Sequence, residues 1–138
     1  MKHRGSVALL SAGALAGSLG LMAPAMTAPA AAATPAVVTL GFDDQRVSQA
    51  TAGPLLAAQG FHGTFYVISQ FIDAAGSHPE SLNMAQLKSL EVAGNEIGGH
   101  TKTHPDLVRL TAAQRNTEIC DGRTELVNDG FKAPVSFA

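Results

Sequence analysis

An α/β fold, a parallel sheet with helices on its outside, is what this sequence predicts, and three observations predict it. Short apolar, β-branched runs alternate with stretches of helical spacing over residues 35–138, in the order β-α-β-α-β-α-β. The helical stretches carry capping or terminating residues at their ends. The residues best able to carry chemistry (Asp43, Asp44, His100 and His104) fall just beyond the carboxyl ends of strands, the rim at which a (β/α) barrel keeps its active site.

The first strand is read over residues 35–42, bounded by a proline and by Asp43-Asp44. Residues 47–59 have helix-compatible composition, with Leu55, Leu56 and Ala58 in the second half. Gly53-Pro54 interrupts that helix and restarts it, since proline suits a first helical turn, and Gly60 ends it. Residues 64–68, Thr-Phe-Tyr-Val-Ile, form the clearest strand. After a loop through Gly76 and Pro79, Asn83 caps a helix running to Val92, with Met84, Leu87 and Leu90 at helical spacing and Gly94 as terminator. Residues 96–99 make a third short strand that delivers His100. Thr111 to Gln114 reads as a capping box opening a helix to about Asn128, where Asp129-Gly130 stops it, and residues 133–138 begin a fourth strand.

The 138 residues allow at most one domain, and the first 33 read as a secretory signal. A basic start (Lys2, His3, Arg4) precedes an uncharged run rich in Ala, Leu and Gly, then small-residue cleavage sites ending at Ala25, Ala30 and Ala33, of which the last is favoured because Thr34-Pro35 begins more ordinary sequence. An uncleaved anchor is the alternative, weakened by the Gly, Pro and Ala content of the run. Much of the 46% hydrophobic content belongs to this segment and not to a core. The formal charge is −2; Lys2 and Arg4 lie in the leader, so residues 34–138 carry −4, with no basic stripe of the kind that binds nucleic acid. Lone Cys120 has no disulfide partner within these 138 residues and reads as a small apolar helix residue, the alternative being a pairing with a cysteine beyond residue 138.

Two imidazoles four residues apart, His100 and His104, lie on one side of a helical turn and can converge on one ion, about 2.0–2.1 Å away for zinc. A surface turn is the competing reading. The metalloprotease helix signature is excluded, because Thr101 stands where it needs Glu. Asp43 and Asp44 read either as caps of the following helix or as a pair dividing labour, one binding a cation and one free to take a proton.

Leu40-Gly41-Phe42-Asp43-Asp44, then Gly63-Thr64-Phe65-Tyr66-Val67, then Asn95-Glu96-Ile97-Gly98-Gly99-His100-Thr101-Lys102-Thr103-His104-Pro105 resemble the first half of the polysaccharide deacetylase family, carbohydrate esterase family four. The resemblance covers the chain from about Val37 to its end. It implies a distorted (β/α) barrel, of which this chain holds the N-terminal half (residues 34–138), and a metal-dependent hydrolase that removes acetyl groups from chitin, peptidoglycan or acetylated xylan. By the same resemblance Asp43 is the general base, Asp44, His100 and His104 are the metal ligands, and Thr101 braces the histidine loop. Zn²⁺ suits these donors, with Co²⁺ or Ni²⁺ as alternatives. The implied partner is an acetylated polysaccharide or cell-wall glycan outside the cell or in its envelope. A non-catalytic secreted module that binds metal or polysaccharide, or an inactive fragment, is the rival reading.

Gly41 stands where the family usually has Thr and Gln45 where it usually has Gly, so the backbone beside the aspartates is expected to turn differently. The family's later motifs, including its general acid and oxyanion donor, are expected beyond residue 138, which makes these residues a piece of a longer enzyme. Among the remaining candidates, His62 and His78 read as solvated loop residues, Lys102 as a solvated loop charge, Glu96 as a strand residue with a local polar partner, and Phe65 and Tyr66 as core-strand residues.

Overall fold

Three short strands run parallel in the order β1 (Gly41–Phe42), β2 (Thr64–Val67), β3 (Glu96–Gly99) in a computed structural model that describes residues 36–73 and 77–138. Gly41 pairs with Thr64 and Phe42 with Phe65, while Thr64 through Val67 pair in step with Glu96 through Gly99. Parallel neighbours need crossovers, and helices supply them. A 3₁₀ turn at Val47–Thr51 leads into α1 (Ala52–Ala58), and α2 (Met84–Val92) joins β2 to β3. Beyond β3, α3 (Ala112–Asn116) passes through a π-helical stretch, Thr117–Asp121, into α4 (Gly122–Asn128). The leader lies outside the described residues. Among the described residues no helix is long and apolar enough to cross a membrane.

Strand alternation sorts the two faces of the sheet. Phe65, Val67 and Ile97 point to one side, where they meet Leu82, Leu87, Leu90, Leu126 and Phe131 in the core, with Phe42 stacked on Phe65 at 4.7 Å between ring centroids. Each fully buried Leu or Phe contributes roughly 1.5–3 kcal/mol relative to exposure. Thr64, Tyr66, Glu96 and Gly98 share the other side. There the Tyr66 ring lies against Gly98 and Gly41, where an added Cβ would sit 2.6 Å and 3.1 Å from it. Glu96 has the polar partners expected of it: Oε2 accepts from the Thr64 hydroxyl at 3.0 Å and Oε1 from the Ser136 hydroxyl at 2.9 Å.

The element ends follow local chemistry. Asn83 and Gln86 exchange side-chain and backbone hydrogen bonds in a full capping box at α2, as do Thr111 and Gln114 at α3. Gly60, Gly94 and Gly130, each with positive φ, close the helices. Two strands are shorter than the sequence predicts. The first begins only at Gly41, with Val37 and Val38 exposed, because β2 starts at Thr64 and the preceding Gly60–Gly63 turn offers Val37 and Val38 no ladder. The expected fourth strand reduces to one parallel bridge, Gly99 to Phe137, beside β3.

Candidate metal centre

Because the strands are parallel, β1 and β3 release their chains at the same rim, bringing the aspartate loop beside the histidine loop. The sequence predicts a helical turn over residues 100–104; the structure has none. Thr101 (φ 67°) and His104 (φ 62°) adopt left-handed backbone, and this loop geometry, not helical periodicity, makes the imidazoles converge. Asp44 (φ 67°) and Gln45 (φ 43°) do the same across the rim. Left-handed backbone costs a non-glycine residue about 1–2 kcal/mol. Four of the five such residues described here border one site, the clustering typical of functional geometry.

Asp44, His100 and His104 offer one ligand atom each, all within 4.8 Å of one another. His100 Nε2 is 3.3 Å and His104 Nε2 3.4 Å from the same oxygen, Asp44 Oδ1. Ligands about 2.0–2.1 Å from a tetrahedral zinc stand roughly 3.3–3.4 Å apart, so the donors suit a divalent cation in type and the two Asp44–histidine spacings match one. The other nitrogen of His100, Nδ1, lies 2.6 Å from the backbone oxygen of Ala138. Since a backbone oxygen can only accept, Nδ1 is the donor in this contact, and Nε2 is the nitrogen turned toward the cluster, the orientation that metal-binding imidazoles need. Asp44 Oδ2 faces Arg46 Nη2 at 3.4 Å, which reserves Oδ1 for the imidazole side. The His100 side chain is 14% exposed and that of His104 47%, so the cluster opens to solvent on the His104 side.

A dense set of hydrogen bonds holds the histidine loop. Thr101 Oγ1 accepts from His104 N at 2.9 Å, and His100 N donates to Val67 O at 2.9 Å. Glu118, on the π-helical stretch, accepts from Lys102 N, Thr103 N and Thr103 Oγ1 at 3.1, 2.8 and 2.8 Å. π-Helical turns occur frequently at functional sites. Lys102 is not the solvated charge that the sequence suggests: its Nζ pairs with Glu125 Oε1 at 2.7 Å, while Glu125 Oε2 accepts from Ser69 Oγ at 2.6 Å. The hydrogen bond to Glu125 holds the Lys102 ammonium above its ordinary pKa. Burial pushes the Glu125 carboxyl up, but hydrogen bonds from Lys102 and Ser69 outweigh it and leave the group below its usual range. Gly122 completes the support, since an added Cβ there would come within 3.1 Å of Lys102 N.

Asp43 is exposed on the aspartate loop, its carbonyl accepting from Gln49 Nε2, and its carboxylate is not one of the three clustered groups. His62 is exposed; His78 is half-buried, stacked on Phe71 at 3.5 Å. Sequence reasoning missed Glu118 and Gln45. Spacing carries no signal for Glu118, while Gln45 stood out only as a departure from the family motif.

A family model described as polysaccharide deacetylase matches residues 30–138. A search of curated proteins returned no match. Among solved structures, the peptidoglycan deacetylase PdaC from Bacillus subtilis is similar at 26% identity and TM-score 0.55, over 73% of this chain and 47% of that one. A family 4 carbohydrate esterase from Streptomyces lividans, in complex with acetate, is similar at 25% identity and TM-score 0.58, over 72% of this chain and 48% of that one. The Streptococcus pyogenes deacetylase PplD, also in complex with acetate, shares the fold at 24% identity and TM-score 0.65, over 72% of this chain and 43% of that one. The chain spans less than half the length of each of these structures.

Proposed function

The chain belongs to the polysaccharide deacetylase family, and from that premise we propose that the protein is a metal-dependent hydrolase that removes acetyl groups from an extracellular carbohydrate of the chitin, peptidoglycan or acetylated xylan type. The observation that carries this reading is the approach of His100 and His104 Nε2 to one oxygen of Asp44 at 3.3 and 3.4 Å. Asp44, His100 and His104 would hold the cation, for which zinc is the best match to two imidazoles and a carboxylate, with cobalt or nickel also suited. When bound, such a cation polarises the acetyl carbonyl and lowers the pKa of a coordinated water towards about 7.

The chain's own residues supply the rest. Asp43 sits next to the ligand Asp44 with its carboxylate outside the ligand cluster, so it is the group assigned to take the proton from the attacking water. His100 is oriented by its Nδ1 contact with Ala138 O, which turns Nε2 toward the ligand cluster. Thr101 and Glu118 fix the loop, so the two imidazoles need no reorganisation as the reaction proceeds. Export belongs to the same proposal: the basic start, apolar run and small-residue sites of residues 1–33 direct the protein out of the cytoplasm, where its polymeric substrate lies.

Acetate release tests the reading. The full-length gene product, loaded with Zn²⁺, is incubated with acetylated chitooligosaccharide and with acetylated xylan, with and without a chelator. Acetate release from either substrate that the chelator abolishes and Zn²⁺ restores is expected. Release that ignores the chelator, or none from any acetylated glycan, overturns it.

A further inference from the structure

We propose that Gln45 is a positioning residue for Asp44, clamping the aspartate loop so that Oδ1 stays turned toward His100 and His104. The inference rests on the reading of Asp44 as a ligand. Gln45 is polar yet fully buried at 0% exposure, one residue after Asp44. Its Oε1 accepts from Ile68 N at 2.8 Å, directly after β2, and its own carbonyl accepts from Leu82 N at 2.7 Å, in the segment leading to α2. Arg46 extends the clamp by a bridge to Ser81, and Val47 N donates to Glu80 O.

Residue 45 is thus tied to the element after β2 and to the element before α2, and its backbone has no freedom to turn. That matters because Asp44 and Gln45 are consecutive left-handed residues, φ 67° and 43°. A glycine, usual at this position in the family, reaches such φ values without strain but does not select them. A glutamine held from both ends does select them. Its Nε2 is buried with no hydrogen-bond partner among the described residues. An apolar side chain of the same size would fill that space without the desolvation cost, so the amide is accounted for by what its other end, Oε1, holds.

Cobalt(II) titration of wild type, Gln45→Met and Gln45→Gly, followed by the visible ligand-field spectrum alongside thermal melting, tests this. Gln45→Met keeps the volume and removes the clamp; Gln45→Gly removes the clamp and relaxes the φ strain. Both variants are expected to stay folded, to raise the Kd for Co²⁺ by about tenfold or more, and to change the intensity of the cobalt bands. Folded variants that bind Co²⁺ with wild-type affinity and spectrum overturn the inference while leaving the metal site standing. Loss of the folded state in both variants makes Gln45 a residue of the fold alone and also overturns it. A wild-type protein that takes up no Co²⁺ sinks the ligand reading itself, and the clamp with it.

Discussion

Glu118 takes both hydrogen bonds that Thr103 can donate, its Oε2 from the backbone N–H and its Oε1 from the hydroxyl, each at 2.8 Å. With Lys102 N as a third donor, one carboxylate on the π-helical stretch sets the path of the loop between His100 and His104. Replacing it by alanine leaves these donors to water. Glu118→Ala is therefore expected to cost about 1.5–3 kcal/mol of stability and to weaken metal binding about 10- to 100-fold. Urea unfolding and cobalt titration measure the two losses; a variant stable as wild type with unchanged affinity would show that the loop holds itself.

The two aspartates are expected to fail differently. Asp43→Asn should lower the deacetylation rate by about 100- to 10,000-fold while leaving the metal content near one ion per chain. Asp44→Asn should lose the ion. Elemental analysis of the two purified variants, beside their rates, distinguishes the roles, and a metal-free Asp43→Asn protein would exchange them.

Gly122→Ala is expected to destabilise the protein although it replaces a helical glycine. The new Cβ would meet backbone, 3.1 Å from Lys102 N and 3.1 Å from Thr101 C. Those atoms cannot retreat, because Glu118, Ser69 and Gln70 already hold their peptide groups. An overpacking cost of about 1–3 kcal/mol then exceeds a helix-propensity gain of about 1 kcal/mol. A urea midpoint at or above that of wild type would show that the loop yields.

Stability should fall in acid through Glu125. Its folded carboxyl titrates below the ordinary glutamate value of 4.5. Between the folded and unfolded values the unfolded chain binds more protons, so this contribution is fully present above 4.5 and is lost as pH drops through the lowered folded value. Lys102, raised above 10.5, acts in the opposite direction: its contribution is lost as pH rises through that higher value. Lys102→Met should flatten both limbs of a melting-temperature profile; an unchanged profile would assign them to other groups.

What could be read from the sequence was what neighbours in the chain decide. Asn83 with Gln86, Thr111 with Gln114, and the glycines at 60, 94 and 130 act within a few residues, so the helix ends followed from them. The order of strands and the placement of Asp44, His100 and His104 at one rim followed from alternation and from the motifs. What could not be read depends on partners far along the chain. The length of β1 is set by where β2 begins. The left-handed turns at Thr101 and His104 are imposed by Glu118, Gly122 and the exit of β2, and helical spacing gave the right convergence by a different geometry. Lys102 looked solvated because Glu125 is 23 residues away in sequence, and a buried glutamine at position 45 has no local signature at all.

The hydrogen bond from His100 Nδ1 to Ala138 O spans 38 positions of sequence. Docking of the segment carrying Ser136 and Phe137 along β3 is what brings this acceptor to the imidazole. An ion held by His100 and this docked segment are thermodynamically reciprocal: whatever free energy the docked segment lends the ion, the ion returns to the segment. Such a cation acts as a clasp on strands already paired, not as a nucleus for them. During synthesis both histidines emerge more than thirty positions ahead of the segment that docks beside them.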